Sequence, residues 1–312
     1  MRNCAKLYYG NGPRIRGNAL SRSRGLRFKN FVDLDLSIKS NSRKFLKMVD
    51  REYELFSYPK IEAYYRDKFK KPIKARVEIF FENEENNILS IGYAGMEREI
   101  KRFLFGRFIV LHASCVSYNG FNLFFMGDVK SGKSTTCSAM LDKGARVLGE
   151  DYSVLHKSTE EAVLFPTFIG NIRKGSYSAT QYKYLKRLYQ DRDIPLMERL
   201  IDMDKKDYKM LLEYHEKLYR LKNGIPDIEL KNNKNVFILL MKDAKQNKNG
   251  ILIHEKPMKI LPELIPNLAA NYLQCRDIIK ESMDLFLKSE CYKLRRAPLD
   301  LMISEICSEF GQ

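Results

Sequence analysis

The chain contains no Cys-x-x-Cys pair: its six cysteines, Cys4, Cys115, Cys137, Cys275, Cys291 and Cys307, are scattered. That spacing suits neither a zinc site nor a disulfide framework, and reduced thiols in a cytoplasmic protein are the simplest expectation. No apolar core lies within Met1 to Leu20, so no secretory signal peptide is expected. The longest apolar runs, such as Val236 to Met241, fall well short of the ~18 residues that a membrane span requires, so no membrane partner is expected. Internal repeats and low-complexity tracts are also missing. Acidic residues are absent between Gly10 and Phe31, where Arg14, Arg16, Arg22, Arg24 and Arg27 gather. That stretch reads either as ordinary surface or as an anion-binding arm.

What the chain does have is core material. Of its 312 residues 44% are hydrophobic and 12% aromatic, enough for one large domain or for one domain with a smaller companion. Lysine and arginine number 55 against 39 acids, a formal net charge of 55 − 39 = +16. An excess of that size points to an anionic partner or to a lysine-rich solvated surface, and the scatter of the lysines favours the second.

The pattern along the chain predicts an α/β protein. Phe45 to Phe56 reads as helix. Arg76 to Phe81 and Ile88 to Tyr93 read as strands around an acidic turn at Glu82 to Asn87, and helical periodicity returns over Met96 to Phe105. Ile109 to Tyr118 reads as one strand, Asn119-Gly120 as a tight turn tolerant of positive φ, and Phe121 to Met126 as the returning strand. A helix over Lys133 to Lys143 capped by Gly144 follows, then a strand over Ala145 to Leu148. Tyr152 to His156 and Ala162 to Phe168 read as a β pair, and Asp193 to Leu221 is rich in helix formers. Strands are expected at Asn235 to Met241, Ile251 to Glu255 and Cys291 to Arg295, with helices over Pro262 to Leu287 and Pro298 to Phe310. The hairpins argue for a mixed sheet rather than a purely parallel one. The expected division is a smaller N-terminal α/β region, 1–95, and a larger domain, 96–312, with the N-terminal region a place for substrate or partner binding.

The densest chemical signal is Gly127-Asp128-Val129-Lys130-Ser131-Gly132-Lys133-Ser134, a full match to G-x-x-x-x-G-K-[ST] between a strand and a helix. Glycines let the backbone curl so that successive N–H groups point at phosphate oxygens. The following helix aims its positive end at the same anion. In this pattern Lys133 reaches the β- and γ-phosphates of ATP, the Ser134 hydroxyl ligates Mg²⁺, and Thr135 adds to the nucleotide contacts. Glu150-Asp151 closes the next strand, where a carboxylate across from the loop can hold Mg²⁺ or take a proton from an attacking hydroxyl. His112, one hairpin earlier, reads as a core histidine or as a phosphate-facing one.

Taken together, Leu111-His112-Ala113-Ser114 with Asn119-Gly120, the Gly127–Ser134 segment and Gly144-Ala145-Arg146-Val147-Leu148-Gly149-Glu150-Asp151 resemble the HPr kinase/phosphorylase-type P-loop kinases. That group includes shorter relatives from peptide-modification gene clusters, among them lasso-peptide precursor serine kinases, and its core is similar to the ATP-dependent phosphoenolpyruvate carboxykinase fold. Weaker matches continue through Phe165-Pro166, Ile172-Arg173-Lys174-Gly175, Asn235 to Met241 and Cys291-Tyr292-Lys293-Leu294, so the likeness covers about residues 100 to 300. It implies a P-loop phosphotransferase with a mixed sheet, using ATP and Mg²⁺ on a peptide or small-protein substrate. It also implies His112, Glu150, Asp151 and Lys133 as catalytic, Ser134 and Asp151 as Mg²⁺ ligands, and Arg173 as a phosphate or substrate contact. The family commonly carries two aspartates where this chain has Glu150-Asp151, and a signature found in bifunctional members after the core has no clear copy here.

Three other readings compete. One is a nucleotide-binding regulatory or scaffold module that transfers no phosphate, and a second is a small-molecule kinase. The third, a nucleic-acid-dependent ATPase, is motivated by the net charge of +16 but lacks a helicase motif set. The sequence leaves the oligomeric state open, a homo-oligomer included.

Overall fold

The computed structural model describes residues 4–9, 24–69, 71–82, 84–168, 178–186, 188, 200, 202–221, 233–242, 251–268 and 276–311. The chain divides into two compact units. The first comprises 1–106 with 170–172 and 190–209, and the second comprises 107–169, 173–189 and 210–312. Both combine helices with β-sheet, so the chain is an α/β protein with mixed sheets.

In the first unit, β1 (Cys4–Tyr9), β2 (Arg24–Phe31), β3 (Leu34–Ser40) and β4 (Ile73–Phe81) form a sheet of order β1-β4-β3-β2. β4 lies parallel to both β1 and β3, while β2 runs antiparallel to β3. β3 buries Leu34, Leu36, Ile38 and Ser40 and leaves the alternate residues half-buried, the period-2 signature of a one-sided strand. Helix α1 (Arg43–Glu52) starts at Ser42, whose hydroxyl accepts the Phe45 N–H, and buries Phe45, Leu46, Met48 and Val49. A short 3₁₀ turn, Glu54–Ser57, and helix α2 (Pro59–Lys68) follow. Phe31 stacks on Phe56 at 4.1 Å and meets Tyr53 edge-on at 5.0 Å, which locks the sheet to the turn after α1.

Helix α3 (Asn86–Leu104) corrects two sequence expectations. Ile88 to Tyr93 is helix, not strand, so no hairpin follows β4. Leu89, Gly92, Tyr93, Met96, Ile100 and Phe103 share one buried face at helical spacing, which a window as short as Ile88 to Tyr93 could not distinguish from a strand. The expected boundary after residue 95 falls inside this helix, and the compact unit runs to Gly106. Of the arginine-rich stretch, Arg27 is described and pairs with Asp35 through both guanidinium nitrogens, at 2.9 and 2.7 Å. Arg14, Arg16 and Arg22 lie outside the described residues.

The second unit holds β5 (Phe108–Leu111), β6 (Ser114–Tyr118), β7 (Phe121–Met126), α4 (Lys133–Asp142), β8 (Arg146–Gly149), β9 (Ser153–His156) and β10 (Ala162–Val163). Then come α5 (Ala179–Leu185), α6 (Lys205–Leu218, of this unit from Met210 on), β11 (Lys234–Leu240), β12 (Leu252–Glu255), α7 (Pro257–Leu264), α8 (Arg276–Lys288), β13 (Glu290–Leu294) and α9 (Leu299–Phe310). A six-stranded sheet has the order β12-β13-β11-β7-β6-β8, and a three-stranded sheet the order β10-β9-β5. β13, β11 and β7 are mutually parallel, whereas β12, β6 and β8 are antiparallel to their neighbours. The β6–β7 turn has Asn119 and Gly120 at φ 46° and 82°, the two positive values that a type I′ hairpin needs.

Residues 109–118, expected as one strand, are two strands in different sheets. β5 pairs with β9, and β6 pairs with β7 and β8. The break falls at His112-Ala113. There the His112 N–H donates to Asn267 O at 2.8 Å, and Ala113 O accepts the Ser153 hydroxyl at 2.7 Å, so these backbone groups keep partners where the chain changes sheets.

His215 sits fully buried on α6, stacked on Phe168 at 4.3 Å, with its Nδ1–H donating to Leu211 O at 2.8 Å. Burial drives its pKa down to about 3, and the Leu211 bond only partly opposes this. The fold therefore holds the neutral ring. Its contribution is intact above the ordinary value of 6.5 and is lost as pH falls from there toward about 3. The slope is at most ~1.4 kcal/mol per pH unit. A His215→Phe variant, compared with wild type by thermal denaturation from pH 8 to pH 5, should gain Tm relative to wild type as pH drops. A constant difference would show that the imidazole is not desolvated.

Candidate functional site

The site grows out of the sheet change. β7 carries the buried run Leu123 to Met126 and ends at Gly127, where a loop leads into α4. Gly127 has φ 136°, and a Cβ there would stand 2.8 Å from Leu240 O at the end of β11 and 3.0 Å from Ser131 Oγ, so only glycine fits. The Ser131 N–H donates to Asp128 O at 3.1 Å, and Gly132 at φ 101° turns the chain into α4. The first helical bond is Thr136 N–H to Gly132 O at 2.9 Å. Lys133, Ser134 and Thr135 thus occupy the first turn, where N–H groups have no partner within the helix. The Ser131 hydroxyl is buried without a partner among the described residues. Asp128, Val129 and Lys130 form the exposed crest.

α4 is held firmly. Gln181 Nε2 donates to Ser134 O at 3.2 Å, the Ser138 and Ser178 hydroxyls bond at 2.6 Å, and Thr180 donates to Asp142 at 2.6 Å. All three partners come from α5 and its N-cap.

Lys133 is 9% exposed and folds back so that its Nζ donates to Gly127 O at 2.7 Å and to Asp128 O at 3.2 Å. Burial lowers its pKa. The charges of Asp151, Asp128 and Glu150 oppose that shift, and the charge of Lys242 adds to it. A buried ammonium solvated mainly by loop carbonyls is costly to hold and would gain from an anionic partner.

The two acids part company. β8 ends at Gly149, where a Cβ would stand 2.1 Å from Tyr152 O, a turn too tight for any side chain. Glu150 points inward and is fully buried, with its backbone carbonyl accepting the Ser114 hydroxyl. Its two carboxyl oxygens lack a hydrogen-bond partner of acceptable geometry among the described residues. Burial and the Asp151 charge push its pKa well above the usual range, while the nearby Ser134 hydroxyl and Lys133 ammonium oppose this without reversing it. Asp151 turns outward, with Oδ1 3.4 Å from His112 Nε2, and both side chains are about one-third exposed, at 31% and 32%.

The structure thus places Lys133, Ser134, Glu150, Asp151 and His112 in one neighbourhood at the ends of β5, β7 and β8. Glu150, rather than Asp151, is the acid beside Ser134, and Asp151 is the one beside His112. Arg173 lies outside the described residues. Phe165 is seated next to the turn, its N–H donating to Leu148 O at 2.6 Å. In sequence comparison no family model matches the chain, and no curated protein matches it.

Two residues that sequence reasoning missed belong here. Asn267 ends a 3₁₀ turn, Ile265–Asn267, and is buried. Its Oδ1 accepts the Gly127 N–H at 3.1 Å, its Nδ2 donates to Glu263 O at 3.2 Å, and its backbone carbonyl takes the His112 N–H. One side chain and its own backbone therefore fix the loop and the histidine together. Lys242, just past β11, lies with Nζ 2.9 Å from Asp128 Oδ2. Neither residue stands near the loop in sequence, and Lys242 is one lysine among many.

Glu150 yields a test. Its raised pKa means that folding costs nothing below the ordinary value of 4.5 and costs progressively more as pH rises toward the folded value. Glu150→Gln keeps the shape and removes the titration. Its Tm should exceed that of wild type, by a margin that widens between pH 5 and pH 8. A margin independent of pH would mean that Glu150 ionises as if solvated.

Proposed function

We propose that this protein is an ATP-dependent kinase that transfers the γ-phosphoryl group to a Ser or Thr hydroxyl of a peptide or small protein. On this reading the core is that of a P-loop phosphotransferase of the HPr kinase and phosphoenolpyruvate carboxykinase type. The observation that carries the proposal is the buried Lys133 ammonium at the start of α4, inside a glycine-turned loop and within electrostatic reach of Asp151. Loop N–H groups and the α4 N-terminus bind the polyphosphate. Lys133 leaves its two carbonyl partners for the β- and γ-phosphates and neutralises charge as it develops on transfer.

The acids take separate roles. Asp151 is exposed enough to meet an acceptor hydroxyl and accepts its proton, with His112 holding the carboxylate in place. Glu150 and Ser134 form the pair that fits Mg²⁺: a hydroxyl oxygen beside a carboxyl group whose oxygens have no other partner among the described residues. The ion, when bound, neutralises phosphate charge and aligns the γ-phosphoryl group.

The same Glu150 supports a second reading, a nucleotide-binding module without phosphotransfer. A fully buried, protonated acid binds no metal until it opens and ionises.

Transfer of labelled γ-phosphate from MgATP to serine-containing peptides separates the two readings. Lys133→Ala should abolish transfer, and Asp151→Asn should lower it by roughly 10²–10⁴-fold while leaving ATP affinity nearly unchanged. Full activity in Asp151→Asn would remove that residue from the chemistry. ATP binding with no transfer to any peptide would leave the binding module standing.

A further inference from the structure

Besides Lys130 and Lys133, which belong to the Gly127–Ser134 loop, a third lysine, Lys242, reaches it from another strand. Lys133 is engaged by the loop's own carbonyls. Lys242 comes from the far end of β11, the strand that runs parallel to β7 in register Leu239 to Met126. That register brings the two strand ends together, and Leu240 O packs against Gly127 so closely that no Cβ fits between them. Lys242 is held there by one partner from the loop crest, the Asp128 carboxylate at 2.9 Å. Its charge reaches Lys133, where it is one of the influences lowering that group's proton affinity.

Lys133 and Lys242 repel one another, and the nearby carboxylates of Asp128 and Asp151 moderate that repulsion. The Asp128–Lys242 pair is also weakly held: its side chains are 74% and 48% exposed, in the range where ion pairs contribute little and exchange readily. A polyphosphate carries more charge and more acceptor oxygens than one carboxylate and is the stronger partner for a lysine.

We propose that Lys242 is a second phosphate-binding residue of this site, kept in position by Asp128 and handed to the nucleotide polyphosphate when it arrives. The inference rests on the nucleotide-binding reading of the loop and adds an exchange: Asp128 lets go of Lys242 as the phosphate takes hold. Asp128 then opposes binding twice, by occupying Lys242 and by placing a negative charge beside the incoming anion.

The two partners should therefore respond with opposite signs. The experiment is calorimetric titration of the full chain with MgATP and, separately, with inorganic tripolyphosphate, at low and high salt. Lys242→Ala should weaken both ligands by about tenfold, the worth of one charge-assisted hydrogen bond. Asp128→Asn should tighten both by about threefold, and each difference should shrink as salt is raised. Lys74→Ala, an exposed lysine of the first unit, controls for net charge and should bind as wild type does. Wild-type affinity in Lys242→Ala overturns the proposal, as does weakening in Asp128→Asn equal to that in Lys242→Ala, which would make the pair a structural tie. If wild type binds neither probe, the nucleotide reading falls and this inference with it. Binding by wild type that is unchanged in Lys242→Ala removes the inference alone.

Discussion

A buried ammonium surrounded mainly by neutral carbonyls is costly to hold, and the second unit is built around one. Lys133 lies at the start of α4 and donates to Gly127 O and Asp128 O. A glycine that admits Leu240 O, a second glycine that turns the chain into the helix, and α5 clamped along α4 all serve to keep it there. The acids nearby moderate the cost. Asp151, Asp128 and Glu150 each favour the charged lysine, although desolvation outweighs them. Holding a cation in this condition is sensible where an anion completes it, and that is the physical case for a phosphate site.

The rest of the neighbourhood depends on a chain that changes sheets at His112-Ala113. Were β5 and β6 one continuous strand, His112 would be a ladder residue with its N–H committed to a neighbouring strand. The break frees that N–H for Asn267 and turns the imidazole toward Asp151. Asn267 spends its side chain on Gly127 in the same stroke, so the loop and the histidine share a support. On the proposed reading, loss of either link would misplace groups whose chemistry is sensitive to shifts of about an ångström.

How much of this could be read from the residues follows from range. The Asn119-Gly120 turn, the strand into Gly127, the helix from Lys133 and the mixed sheet rest on local rules, and each is where those rules put it. Ile88 to Tyr93 misled because so short a window, apolar at Ile88, Leu89, Ile91 and Tyr93, fits either period, and only the burial of Met96, Ile100 and Phe103 beyond it decides for a helix. The inward turn of Glu150 and the outward turn of Asp151 hang on the tight Gly149–Tyr152 corner, which adjacent acids do not announce. Asn267 and Lys242 reach the loop through register and packing between segments more than 100 residues apart in sequence, contacts that no local pattern encodes.

The central claim, that Lys133 is a desolvated cation poised for an anion, is most directly tested by its own titration. The pKa of the Lys133 ammonium can be followed by NMR of ¹³Cε-labelled lysine, with the resonance assigned by its loss in Lys133→Arg. The account predicts a value below that of the solvent-exposed lysines in the free protein and a rise when MgATP is added, because bound phosphate favours the charged form. An ordinary value that MgATP leaves unmoved would contradict it.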